Sequence, residues 1–259
     1  MIKSPQYRKP FTDALQFMWG EGFLSPGGPA EVSRMLDGIG IRGADVLDLG
    51  SGLGGVDLEL VQAHGARRVV GVDVEEALVE AARALVDRKS LAGSIEFLLV
   101  EPGPLPFAAG SFDMVFSKDA MVHIPDKGAL YADVLRILRP GGWFVAADWL
   151  WSAGAGESPV VRDWLSRGPL QFVFTTPAQA IDELRAAGFE DVEVRDERAR
   201  LQTSNREEIR ILEGVARQRL AQLVGQEMAD SRLVSARGRQ AALDSGDLIP
   251  THLRARKPA

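Results

Sequence analysis

The 259-residue chain has no cysteine, which excludes disulfides, a thiolate nucleophile and any thiolate-bound metal site. Histidine is nearly as scarce: only His64, His123 and His252 offer an imidazole. No apolar run approaches the length that crosses a bilayer, and the first ten residues lack the apolar stretch of a secretory leader. A cytoplasmic protein away from the membrane is therefore expected. Internal repeats and low-complexity tracts are missing too. Positive charge is not in excess: the net charge is −6 and the isoelectric point near 5.2. That balance argues against nucleic acid or an anionic membrane as the main partner.

What is present is an ordinary globular composition, 46% hydrophobic and 25% charged, enough for one large α/β domain with additions. The chain is organised around Val46-Leu47-Asp48-Leu49-Gly50-Ser51-Gly52-Leu53-Gly54-Gly55. Its first half is a short apolar run containing one acid, the pattern of a buried parallel strand. Its second half is a glycine turn, and the residues from Val56 onward open a helix. Strand, glycine turn and helix bring backbone N–H groups close to a ligand, because no Cβ intervenes. Gly50-x-Gly52-x-x-Gly55 is followed about 20 residues on by Asp73, which ends the next strand. On spacing alone this fits a dinucleotide fingerprint.

Helical periodicity runs over residues 11–22 and 29–39, then 56–64, 75–88, 127–138, 177–187 and most of 206–243. Strands are expected at 46–49, 69–73, 95–100, 112–117 and 143–149, with short later ones at 192–194 and 248–256. Residues 152–169 read as irregular, and Pro250 suggests that the last strand lies at an edge or begins there. Alternating strands and helices mean a doubly wound, mainly parallel α/β sheet with right-handed crossovers. Residues 1–40 form an N-terminal helical segment closing over the site. Residues 41–259 form one domain, with a helical lid inserted at about 203–245, before the last strand. Ligands in such sheets lie beyond the carboxyl ends of the strands. That rule gathers residues 50–55, Asp73, Glu101, residues 117–123 and residues 149–151 at one edge.

Residues 46–55, Asp73, residues 112–117 and Leu138-Arg139-Pro140-Gly141-Gly142 together resemble the class I S-adenosylmethionine-dependent methyltransferases. The resemblance implies a Rossmann-like fold and S-adenosyl-L-methionine (AdoMet) as cofactor. AdoMet has no pyrophosphate, so the glycine turn need only pass close to its amino-acid moiety. Asp73 is suited to accept from both ribose hydroxyls, with Val74 beside it. By resemblance Glu101 stands near the adenine amine, where the family usually has Asp. Gly50, Ser51, Gly52 and Ser117 complete the cofactor side of the edge.

A narrower resemblance covers the first 150 residues or so. Gln6-Tyr7, Trp19-Gly20-Glu21-Gly22-Phe23-Leu24-Ser25-Pro26-Gly27-Gly28 and Phe116-Ser117-Lys118-Asp119-Ala120-Met121-Val122-His123-Ile124 look like phosphoethanolamine N-methyltransferases. In that family a Tyr before the first helix and a His after the fourth strand form a catalytic pair, and Tyr7 and His123 fall on those places. Asp119 falls on the acid near the substrate amine, and Leu24 and Ser25 fall where cofactor and substrate are closed over. The chemistry agrees. Methyl transfer needs a lone pair on the acceptor, and an alkylamine with a pKa near the ~10 of lysine must first lose a proton. Imidazole is suited to take it. Trp149 and Trp151 offer faces to a methylated ammonium.

The phosphate is where this likeness stops. The family binds it with an Arg and two Tyr after the fifth strand, and a gap-free count puts Ser166, Leu170 and Phe172 there. Leu and Phe supply no charge-assisted donor. Arg162, Arg167 and Arg232 are the neighbouring cations that could stand in. A small-molecule acceptor methylated at an amine nitrogen is therefore expected, on a monomer or weak dimer. The rivals are an O- or C-methyltransferase, an NAD-dependent oxidoreductase and a non-catalytic AdoMet-binding protein. A clear Tyr-x-x-x-Lys pair, which would favour the oxidoreductase, is absent.

Overall fold

The computed structural model describes residues 7–167 and 170–259. Gln6, part of the N-terminal likeness, lies outside them. The strands are β1 (Asp45–Leu49), β2 (Arg68–Asp73), β3 (Ile95–Leu99), β4 (Phe112–Lys118), β5 (Leu138–Trp151), β6 (Glu190–Asp196) and β7 (Leu248–Arg256). They form a sheet in the order β3-β2-β1-β4-β5-β7-β6. The first five strands pair in parallel, and β7 runs antiparallel to both β5 and β6. The Rossmann-like expectation holds.

Helices cover both faces: α1 (Lys9–Trp19), α2 (Gly28–Met35), α3 (Gly55–Gln62), α4 (Glu76–Arg88), α5 (Lys127–Ile137), α6 (Pro159–Ser166) and α7 (Pro177–Ala187). Then α8 (Arg198–Glu213), α9 (Val215–Val224) and α10 (Gln226–Asp244) lie in sequence between β6 and β7. The strands read as continuous apolar runs because alternate residues feed two buried cores. Val46, Val69, Met114 and Phe116 join the core under α2–α4. Leu47, Val70, Val115 and Phe144 join the one under α5 and α7. A third cluster packs Ala14 of α1 with Leu212, Leu220, Leu233 and Ala236 of α8–α10, so the first helix and the helical insertion share a core.

Two expectations need correction. Residues 152–169 are not irregular throughout. A 3₁₀ turn (Ala155–Glu157) and α6 form there, started by Pro159 in the first turn and held by buried Val161 and Trp164. Nor does β7 lie at an edge. It sits inside the sheet, and the Pro250 carbonyl accepts from Glu197 N–H at 2.8 Å, past the last β6 partner of the ladder. An extended residue's N–H and C=O point the same way, so the missing donor faces the end of β6 and costs the β5 ladder nothing.

Candidate active site

The glycine turn is held by its own amides. Gly50 and Ser51 N–H both donate to the Val72 carbonyl, at 2.9 and 3.0 Å. Gly52 N–H donates to Asp73 Oδ2 at 2.9 Å, Gly54 N–H to Ser51 O at 3.0 Å and Gly55 N–H to Gly22 O at 3.2 Å. Gly50 has φ +78, and a Cβ there would lie 2.2 Å from Ala120 Cβ. Glycine is therefore required by the neighbouring loop as well as by the turn. Leu24 lies over Gly52, whose added Cβ would be 3.0 Å from Leu24 Cδ1.

These bonds bear on the ligand. Five amides of the turn are already spent, which leaves it a poor cradle for a pyrophosphate. Asp73 keeps its capacity. Oδ2 accepts from Gly52 and Oδ1 from Glu75 N–H at 3.0 Å, leaving a further lone pair on each oxygen for a pair of hydroxyls. Burial pushes its carboxyl up, against the pull of those amides. Val74 beside it is 55% exposed, an apolar surface next to a carboxylate with acceptor capacity to spare. The residues present thus fit a nucleoside without a pyrophosphate.

Not every expected cofactor residue is disposed alike. Ser117 is buried and donates its hydroxyl to Leu49 O at 2.9 Å. Ser51 is buried with an unpartnered Oγ. Glu101 stands exposed, two residues past the end of β3. Ser25 reaches the site from the N-terminal segment, its hydroxyl accepting from Lys118 Nζ.

Lys118 was not legible as a site residue. Its buried ammonium also donates to Pro26 O at 2.9 Å and to Asp119 Oδ2 at 2.7 Å. Asp119, in the left-handed region at φ +56, thus already holds a neutralising cation.

His123 closes a 3₁₀ turn (Met121–His123) after β4. Its Nδ1 lies 2.7 Å from the Gln171 carbonyl and its Nε2 lies 3.4 Å from Tyr7 Oη. A carbonyl only accepts, so Nδ1 carries the proton and Nε2 the lone pair, an assignment that follows from the bond network. Burial holds the imidazole below its ordinary pKa, with the Gln171 bond pulling the other way. Burial, reinforced by Asp73, Glu75 and Asp119, pushes the Tyr7 hydroxyl well up, so it stays a donor. The other two imidazoles are engaged elsewhere. His64 meets Ser33 at the surface, and His252 is buried between Glu31 and Arg195.

The acceptor side is aromatic. Phe172 lies 5.2 Å from the His123 ring, centre to centre, and 6.0 Å from Trp164, which in turn meets Trp149 at 6.0 Å. Trp151 stacks on Phe174 at 4.9 Å. Of the three cations that could stand in, two are committed, and Arg232 keeps a buried Nε without a hydrogen-bond partner. Arg162 donates to Glu157 O and Arg167 pairs with Asp163, both at the surface. Arg232 is buried over the Phe11 and Trp19 rings, at 5.4 and 6.0 Å. Ser166 donates its hydroxyl to Asp163 O.

Residues 46–142 match the family described as a methyltransferase domain. An O-methyltransferase (cnsE) of Penicillium expansum is 31% identical over 180 residues, covering 66% of this chain and 63% of its own. Phosphoethanolamine N-methyltransferase 1 of Triticum aestivum is 28% identical over 196 residues, 75% of this chain and 38% of its own. The solved structure of Haemonchus contortus phosphoethanolamine N-methyltransferase 2, with phosphomonomethylethanolamine and S-adenosylhomocysteine, superposes with a TM-score of 0.91 at 25% identity. It covers 100% of this chain and 60% of that one. The chain thus spans less than two thirds of the length of each. Residues 46–142 thus match a methyltransferase domain, and the chain has the fold of the phosphoethanolamine N-methyltransferases, which it resembles.

Proposed function

We propose that this protein transfers a methyl group from AdoMet to a small-molecule acceptor at an amine nitrogen, with His123 as base and Tyr7 as its partner. The observation that carries this reading is the His123 geometry: a neutral imidazole with its proton fixed on Nδ1 by Gln171 O and its lone pair on Nε2. Bound at Asp73 and the glycine turn, AdoMet supplies an electrophilic methyl on a sulfonium. The protein's own residues do the rest. Asp73 holds hydroxyls, Leu24 and Ser25 cover the turn, and His123 Nε2 takes the proton an ammonium must lose before its nitrogen can react. Tyr7 Oη, a donor held 3.4 Å away, orients the ring until an acceptor replaces it. With Phe11 6.0 Å beyond it, Tyr7 also keeps water from the imidazole.

The same base would deprotonate a hydroxyl, and the likeness to the fungal O-methyltransferase favours O-methylation as the second reading. Label transfer from methyl-labelled AdoMet to a panel of amines and hydroxyl compounds decides between them. Calorimetric titration with AdoMet and with NAD is the companion measurement. Heat with AdoMet and none with NAD is expected, and the reverse would return the glycine turn to the dinucleotide reading.

A further inference from the structure

The proposed reaction uses His123 but gives no reason for the buried lysine beneath it. Lys127 is the first residue of α5 and is 2% exposed. That is a poor place for a cation, because a helix N-terminus is itself positive and an ammonium loses its hydration on burial. Asp148 and Glu183 are the carboxylates whose charge reaches it, and burial still holds its pKa down.

All three ammonium donors are used, and by one region. Lys127 Nζ donates to Met121 O at 2.7 Å, to Ile124 O at 2.8 Å and to Val173 O at 3.1 Å. Met121 and Ile124 bracket His123 in its loop. Val173 is two residues past Gln171, whose carbonyl fixes the imidazole proton. Two further bonds join the same pieces: Val173 N–H donates to Val122 O at 2.7 Å, and Val122 N–H to the buried Asp148 Oδ1 at 3.0 Å. An apolar residue at 127 would fill the space but strand the Ile124 and Val173 carbonyls and leave Met121 O with only its bond from Ile124 N–H.

We propose that Lys127 is a positioning residue: its ammonium ties the His123 loop to the 171–173 segment and thereby fixes which imidazole nitrogen carries the proton. The kinetic part of this rests on the proposed function; the tautomer part does not.

Proton–nitrogen correlation spectra of the three imidazoles, recorded without substrate, read the tautomer directly. Wild-type His123 should show the Nδ1–H form. Lys127→Met, similar in volume but without the ammonium, should show both tautomers in exchange. Its kcat should fall by about 10–100-fold, the usual effect of a misplaced catalytic group, with the AdoMet KM changed less than twofold. If Lys127→Met does not fold, Lys127→Gln carries the same test, since one carboxamide cannot serve three carbonyls. A lysine that merely stabilised the fold would lower the melting temperature and leave the His123 spectrum unmoved. A wild-type spectrum in either folded variant overturns the inference. Because the spectra need no turnover, a wild-type enzyme that transfers no methyl overturns the proposed function alone.

Discussion

At His123 the proton faces the Gln171 carbonyl 2.7 Å away, so Nε2 is left as the only base on the ring. Burial holds the imidazole below its ordinary range, which fixes the sign of the pH dependence. The active neutral form persists as pH falls through neutrality. The acid limb of the kcat profile should therefore have its midpoint below the usual imidazole value of about 6.5. A midpoint above that value would mean that the titrating group is not His123. Asp73 gives a second test at this scale. Asp73→Ala removes an acceptor of two charge-assisted bonds, each worth about 1.5–3 kcal/mol, so AdoMet affinity by calorimetry should fall about tenfold or more. An unchanged affinity in a folded variant would take Asp73 out of the site. Tyr7, His123, Asp73 and Asp119 stand in short motifs, so the sequence alone singles them out as candidates. Lys118 and Lys127 are not singled out, because each is distinguished by a carbonyl from a segment distant in the chain, Pro26 for the one and Val173 for the other.

The elements explain why some readings held and others failed. Strands β1, β2 and β4 announce themselves as apolar runs because both of their faces are buried. Pro250 misled because a proline is tolerated inside a sheet when its missing N–H points past the end of the neighbouring strand. The start of α6 is marked by Ser158-Pro159, a signal hidden by the glycines just before it. In the proposed reaction the 170–174 stretch sets acceptor choice. Leu170 and Phe172 occupy the places expected of phosphate donors, and the Phe172 ring packs on His123. Phosphoethanolamine should be a poor substrate or none, and unphosphorylated amines better ones. Steady-state turnover of phosphoethanolamine with micromolar half-saturation would contradict this.

Across the whole molecule, the acids buried inside the sheet set how stability responds to pH. Asp48 on β1 and Asp57 on α3 lie against each other under the glycine turn, 1% and 0% exposed. Burial pushes Asp48 up to about 7, against the pull of a hydrogen bond from Asp57, and pushes Asp57 well above the carboxylate range, where the Asp48 charge raises it further. Burial likewise pushes Asp148 up to about 7. A raised acid binds its proton more tightly in the folded than in the unfolded chain. Stability from these groups is thus full below the unfolded carboxylate range and is lost as pH rises toward and past 7. Urea midpoints should therefore fall between pH 5 and pH 8 more steeply in wild type than in Asp57→Asn. Equal slopes would mean that the pair does not share this strain.

The proposed transfer depends on one base, His123. Single-turnover methyl transfer from labelled AdoMet to the best amine of the panel, in wild type, Tyr7→Phe, His123→Ala and the double variant, tests it most directly. Wild type should transfer the label. His123→Ala should be slower by about 10²–10⁴-fold with unchanged AdoMet affinity, Tyr7→Phe by less, and the double variant by much less than the product. Near-normal transfer by His123→Ala, or losses that multiply independently, would contradict the account and leave His123 a packing residue against Phe172.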